Sequence, residues 1–188
     1  MNDKPQFEIE YEGADQYDFE DEQWSKSKNL DSYSKCIGLF FLYFSSFEHV
    51  FDTGLADIIF DDSHSYSYLF IKSMEMSKKI DLYYGLALTL IINSNKPANK
   101  IIKLDLIKKK ITDLIEVRNK IAHARWTTLD TKGFVRVDVK LDTVKGLVKF
   151  RKYKITPSVM RKHVTTIKKL SKEFETFNES LLIACVSF

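Results

Sequence analysis

Apolar residues along this chain repeat with two different periods, and the change between them marks its organisation. From Ser32 to Arg125, and again after Thr156, they recur every three or four residues, the spacing of helices with one face in a core. Between Val135 and Ile155 they alternate, which is the spacing of strands. The first helix is predicted to begin at Asp31 or Ser32, either of which can accept from free backbone N–H groups, and to run through roughly Phe51. Its residues Ile37, Phe40, Phe44, Phe47 and Phe51, with Leu39, Leu42 and Val50 between, are apolar on nearly all sides, as in a central helix or one at a subunit interface. Gly54 then permits a break, and Asp61 to Ser65 reads as a polar loop holding His64.

A second helix is predicted from about Ser77. It ends at Asn93 to Pro97, because Pro97 steers Lys96 away from helical backbone angles. The third runs from about Asn99 to Arg125 on the stripe Leu104, Ile107, Ile111, Leu114/Ile115, Arg118 and Ile121/Ala122. One member of that stripe is charged: Arg118 stands where the period calls for an apolar residue. Val135, Val137, Val139 and Leu141 then alternate with Arg136, Asp138 and Lys140. A second strand through Leu147 to Ile155 carries Lys149, Arg151, Lys152 and Lys154, so the pair reads as a hairpin with a basic face. Thr156 as N-cap and Pro157 at the first helical position announce a last, long helix. The predicted fold is all-α, a bundle of four to five helices with a β-hairpin inserted at about residues 134–155 before the last long helix.

Composition supports a folded body and adds one asymmetry. The chain is 44% hydrophobic, enough to furnish a core over residues 31–188. Its longest apolar stretch, Ile37 to Phe47, is about half of what a bilayer requires, and the polar N-terminus has no secretory pattern. No membrane segment and a cytoplasmic location are therefore expected. Cys36 and Cys185 are far apart, in no metal-binding spacing, and read as buried free thiols; neither a metal nor a cofactor is implied. The net charge of +3 conceals nine acids against one base in residues 1–25, leaving 28 bases and 17 acids for the rest. Residues 1–30 are read as an acidic, flexible arm, in which Phe7, Ile9 and Tyr11 alternate with glutamates as in a short edge strand. The basic body favours a polyanion such as RNA; for the acidic arm two readings stand, a disordered leader without function, which is favoured, and an arm that folds back onto the basic body by opposite charge.

The candidate chemistry lies at Arg118, Asn119 and His123. On a helix, Asn119 and His123 are four residues apart on one face, while Arg118 is about 100° round from Asn119. The length of the arginine and a second copy of the helix across a symmetric dimer would let both groups reach one ligand. Histidine moves protons near neutral pH, and arginine donates a planar fork of N–H groups to a phosphorane. Together they suit metal-independent cleavage of RNA by its own 2′-hydroxyl. The structural alternative pairs Arg118 with Glu48 or Asp52 of the first helix and leaves His123 as a helix-terminal residue favoured by the dipole. His49 reads as partly buried, and His163 as lying on the exposed side of the last helix. Tyr66 and Tyr68 read as packing or edge residues.

Arg118-Asn119-Lys120-Ile121-Ala122-His123, late on an apolar-striped helix, resembles the signature of the HEPN superfamily, and the resemblance covers roughly residues 31–183. It implies a HEPN-like helical bundle, dimerisation around a composite active site, and a ribonuclease of a toxin–antitoxin or antiviral defence system. In that role Arg118, Asn119 and His123 would be the catalytic residues, and an antitoxin or defence-system protein a partner. Members paired with a nucleotidyltransferase often carry a tyrosine two residues after the histidine; this chain has Arg125, so silencing by that route is not part of the expectation. Arg125, Arg136, Lys149, Arg151 and Lys152 are candidate RNA contacts. The competing reading is a non-catalytic HEPN-like module that binds a nucleotide, RNA or another protein.

Overall fold

A computed structural model describes residues 8–12, 30–59, 64–94, 98–124, 134–142 and 146–186. Among them are five helices: α1 (Leu30–Ile59), α2 (His64–Lys72), α3 (Met76–Asn93), α4 (Ala98–Ala122) and α5 (Pro157–Val186). Three strands, β1 (Glu8–Glu12), β2 (Phe134–Asp142) and β3 (Leu147–Lys154), form one antiparallel sheet in the order β1-β3-β2. The chain is thus predominantly helical, with the hairpin lying between α4 and α5 as its alternation predicts. None of the described helices is long and apolar enough to cross a membrane.

The chain divides into two compact units. One comprises residues 42–115 and 165–188, the other residues 1–41 and 116–164, so α1, α4 and α5 each contribute to both.

The first unit is a helical bundle around an aromatic cluster. Phe51, Tyr83 and Phe174 pack with ring centroids 4.9 to 5.3 Å apart, surrounded by Phe47, Leu55, Ile91, Leu104, Ile107, Ile111 and Phe177, all nearly inaccessible. Such rings contribute by apolar burial and by their offset contacts. Gly54 does not break α1, which continues for eight residues beyond Phe51. Its role is close approach: a Cβ there would stand 2.8 Å from Cε1 of Phe174, so only glycine lets α5 lie against α1 at this point. Two polar links are sealed in the same core. Lys79 donates to Asp52 at 2.7 Å with both side chains buried, and the Tyr83 hydroxyl donates to Oδ1 of buried Asn178 at 3.0 Å. Burial raises the tyrosine's pKa, which keeps its proton in place to donate.

Residues 64–72 form α2 rather than loop or edge strand. The alternation of serine and tyrosine there is overridden by a helix that brings Tyr68 to His49, whose Nδ1 lies 3.0 Å from the phenol oxygen. His49 itself is exposed, contrary to the expectation of partial burial.

The second unit joins the first turns of α1, the end of α4, the sheet and the start of α5. Tyr33, Cys36 and Phe40, spaced three and four apart on α1, are buried in it with Ile121, Tyr153, Ile155, Val159 and Met160. Cys36 is a buried free thiol; the side chain of Cys185 lies outside the described residues. At the start of α5 the Val159 N–H donates to Oγ1 of Thr156 at 3.2 Å, the cap that the Thr-Pro pair announces.

The acidic segment supplies β1, and its register carries information. Glu8, Glu10 and Glu12 stand opposite Tyr153, Arg151 and Lys149 of β3. On the other side of β3, Asp138 stands opposite Arg151 and Arg136 opposite Lys152, with an irregularity between Arg136 and Asp138 at Val137. That bulge interrupts the uniform alternation read from the sequence.

Candidate functional site

The motif closes α4. Leu104, Ile107, Ile111 and Leu114 are buried at intervals of three and four, and Ile121 resumes the series. Arg118 occupies the intervening place and is half-buried, its alkyl stem on the core-facing stripe. Its Nη1 donates to Oδ1 of Asn119 at 3.1 Å. The arginine therefore crosses the roughly 100° between neighbouring helix positions and comes to lie by the exposed amide. This contact holds the guanidinium against a neutral amide.

His123 follows one turn after Asn119 and is exposed. Its N–H still donates to the Asn119 carbonyl at 3.0 Å, whereas the next N–H, of Ala124, reaches back only three residues to Ile121 at 3.4 Å. The helix tightens and stops there. The imidazole at that terminus is exposed.

Tyr153 and His163 form a second element that the sequence did not suggest. His163 is half-buried on α5, not on its exposed side, with Nε2 3.1 Å from the Tyr153 hydroxyl and its ring edge-on to Phe40 at 6.3 Å. Burial lowers its pKa below the ordinary value, favouring the neutral ring. Nζ of Lys120 lies over the Tyr153 ring, 5.3 Å from its centroid. A residue inside the motif is thus tied to the central strand of the sheet. The only hint in the sequence was a tyrosine at the end of an otherwise basic strand.

The remaining candidates are placed as follows. Asp52 is ion-paired with Lys79, and Glu48 is half-buried on α1. Arg136 stands on β2 and Lys149, Arg151 and Lys152 on β3, in the register given above. Arg125 lies outside the described residues. Among the described residues no group of three or more His, Cys, Asp or Glu side chains is arranged to hold a metal ion. Compared with protein-family models, curated protein sequences and solved structures, the chain matches none of them.

Proposed function

We propose that this protein is a HEPN-like, metal-independent endoribonuclease of a toxin–antitoxin or antiviral defence system. It would act in the cytoplasm as a homodimer that assembles one site from two copies of the α4 end. The observation that carries the reading is the Arg118–Asn119 contact: a cation on a core-facing helix position turned toward an exposed amide, with an exposed histidine one turn on. In the reaction one His123 takes the proton of a ribose 2′-hydroxyl as its oxygen bonds to phosphorus. The bond from phosphorus to the 5′-oxygen breaks, and that oxygen receives a proton from the second His123. Arg118 donates to the phosphorane oxygens, where negative charge is greatest, and Asn119 holds the guanidinium. The products are a 2′,3′-cyclic phosphate and a 5′-hydroxyl.

The test incubates wild type, Arg118→Ala and His123→Ala with mixed RNA in the presence of a chelator. Cleavage by wild type alone with cyclic phosphate ends supports the enzyme; a folded dimer that leaves RNA intact sinks it. One observation favours the non-catalytic alternative. Lys120 over Tyr153 shows that this helix end also has a packing task, and a module that only bound RNA or a partner protein would retain binding without turnover.

A further inference from the structure

The bundle unit handles its lysines in two ways. Several are engaged with carboxylates: Lys79 is sealed against Asp52, Lys108 meets Asp81 at 2.9 Å, and Lys110 donates to both carboxylate oxygens of Glu173 at 2.7 and 2.8 Å. Along α5, by contrast, Lys168, Lys169 and Lys172 are all exposed, and none of them is ion-paired among the described residues.

The arrangement around these lysines keeps their charge uncompensated. Glu173, the next residue along α5, is drawn to Lys110 of α4, and Glu175 lines a cleft against α1 with His49 and Thr53. Nζ of Lys168 lies over the half-buried Tyr43 ring at 4.2 Å from its centroid, which braces the ammonium without supplying a counter-charge. Like charges three and four residues apart on a helix repel one another, and an anion laid along the run relieves that repulsion. Thr165, Lys168, Lys169, Lys172 and Thr176 recur at intervals of three and four, so they share one exposed face. Residues four apart on it are separated by about 6 Å along the axis, close to the step between consecutive phosphates of a nucleic-acid strand. Lysines and hydroxyl groups are the donors that phosphate oxygens accept from. Between Thr165 and Thr176 no large apolar side chain of α5 is exposed, so this face offers neither an anchor for a lipid surface nor the core of a protein interface.

We infer that the exposed face of α5 from Thr165 to Thr176 binds the phosphate backbone of a single nucleic-acid strand. Lys168 and Lys172 take neighbouring phosphates, Lys169 adds charge beside them, and the two threonine hydroxyls donate at either end. Contacts of this kind fix the path of a strand and carry no base preference. The surface uses none of the residues of the proposed reaction and stands whether or not the protein cleaves RNA.

Fluorescence anisotropy of the full chain with a short labelled 2′-O-methyl oligouridylate tests this. The probe lacks the 2′-hydroxyl nucleophile, so binding is read separately from cleavage. Wild type should bind with a Kd below ~100 µM at about 0.15 M salt. The Lys169→Gln/Lys172→Gln protein, altered only at exposed positions and checked for an unchanged Tm, should bind ~10-fold more weakly, and its plot of log affinity against log salt should be shallower by about 1.4, the loss of two phosphate contacts. Lys78→Gln/Lys109→Gln removes the same charge from exposed lysines of α3 and α4 and should cost less than ~3-fold. Absence of binding by wild type overturns the inference, as does an undiminished affinity in the α5 variant. Equal losses in the two double variants overturn it too, by reducing the effect to net charge. Polyglutamate that displaces the probe as effectively as polyuridylate at equal charge assigns the face to an acidic protein instead.

Discussion

Charged groups sit at core-facing helix positions in both units, a pair in one and a single arginine position in the other, and the protein treats them differently. In the bundle unit Asp52 and Lys79 are 2% and 6% exposed and meet each other at 2.7 Å. Each cancels the other. In the sheet-bearing unit Arg118 is half-buried and is met by a neutral amide that is itself exposed. The first arrangement uses its charges on each other; the second sets a cation beside an exposed, neutral amide. A cation on a core stripe is therefore not one kind of feature.

The comparison breaks or sharpens under substitution. Asp52→Ala leaves the Lys79 ammonium buried without its carboxylate and should cost about 3–5 kcal/mol in urea unfolding, while Asp52→Leu with Lys79→Met should restore stability to wild type or better. A small loss in the single variant would mean that the pair is not sealed as described. His123→Ala, by contrast, should leave Tm unchanged and reduce RNA cleavage by ~10²–10⁴-fold; a stability loss matching that of Asp52→Ala would put the motif in the structural class. Tyr153→Phe removes the hydroxyl at His163 and should cost about 1 kcal/mol, with any effect on cleavage reporting how firmly β3 holds the motif.

A pH titration of stability examines the same contact. Because burial lowers the His163 pKa beneath 6.5, the unfolded chain takes up a proton that the folded imidazole refuses as pH falls below that value. Stability should decline from pH 6.5 down to the folded pKa and then level off, and His163→Gln should flatten that segment. The smallest change, Thr156→Ala, should cost about 1 kcal/mol through the lost cap of α5.

Much of this architecture was legible because its causes are local. The stripe of α4, the Thr156-Pro157 start of α5 and the alternation of the hairpin are set by residues within a few positions of one another. Arg118 stood out for the same reason, against the period of its own helix. The misreadings have distant causes. Gly54 looks like a breaker until Phe174 from α5 is placed against it. His163 looks solvent-facing until Tyr153 supplies a partner. Residues 61–65 read as a polar loop, and Tyr66 and Tyr68 as packing or edge residues, until α2 sets Tyr68 against His49 of α1. The bulge at Val137 belongs to the same group, since only the register against β3 reveals it.

The pairing of β1 with β3 also fixes an order of events. Glu10 and Arg151 are roughly 140 residues apart in sequence, so the acidic strand leaves the ribosome well before its template exists, about 7–30 s earlier at ordinary synthesis rates. Closing so long a loop is slow compared with forming helices. During that interval the newborn chain carries a run of glutamates with no strand to join, and the three-stranded sheet is completed only once the basic strand has emerged.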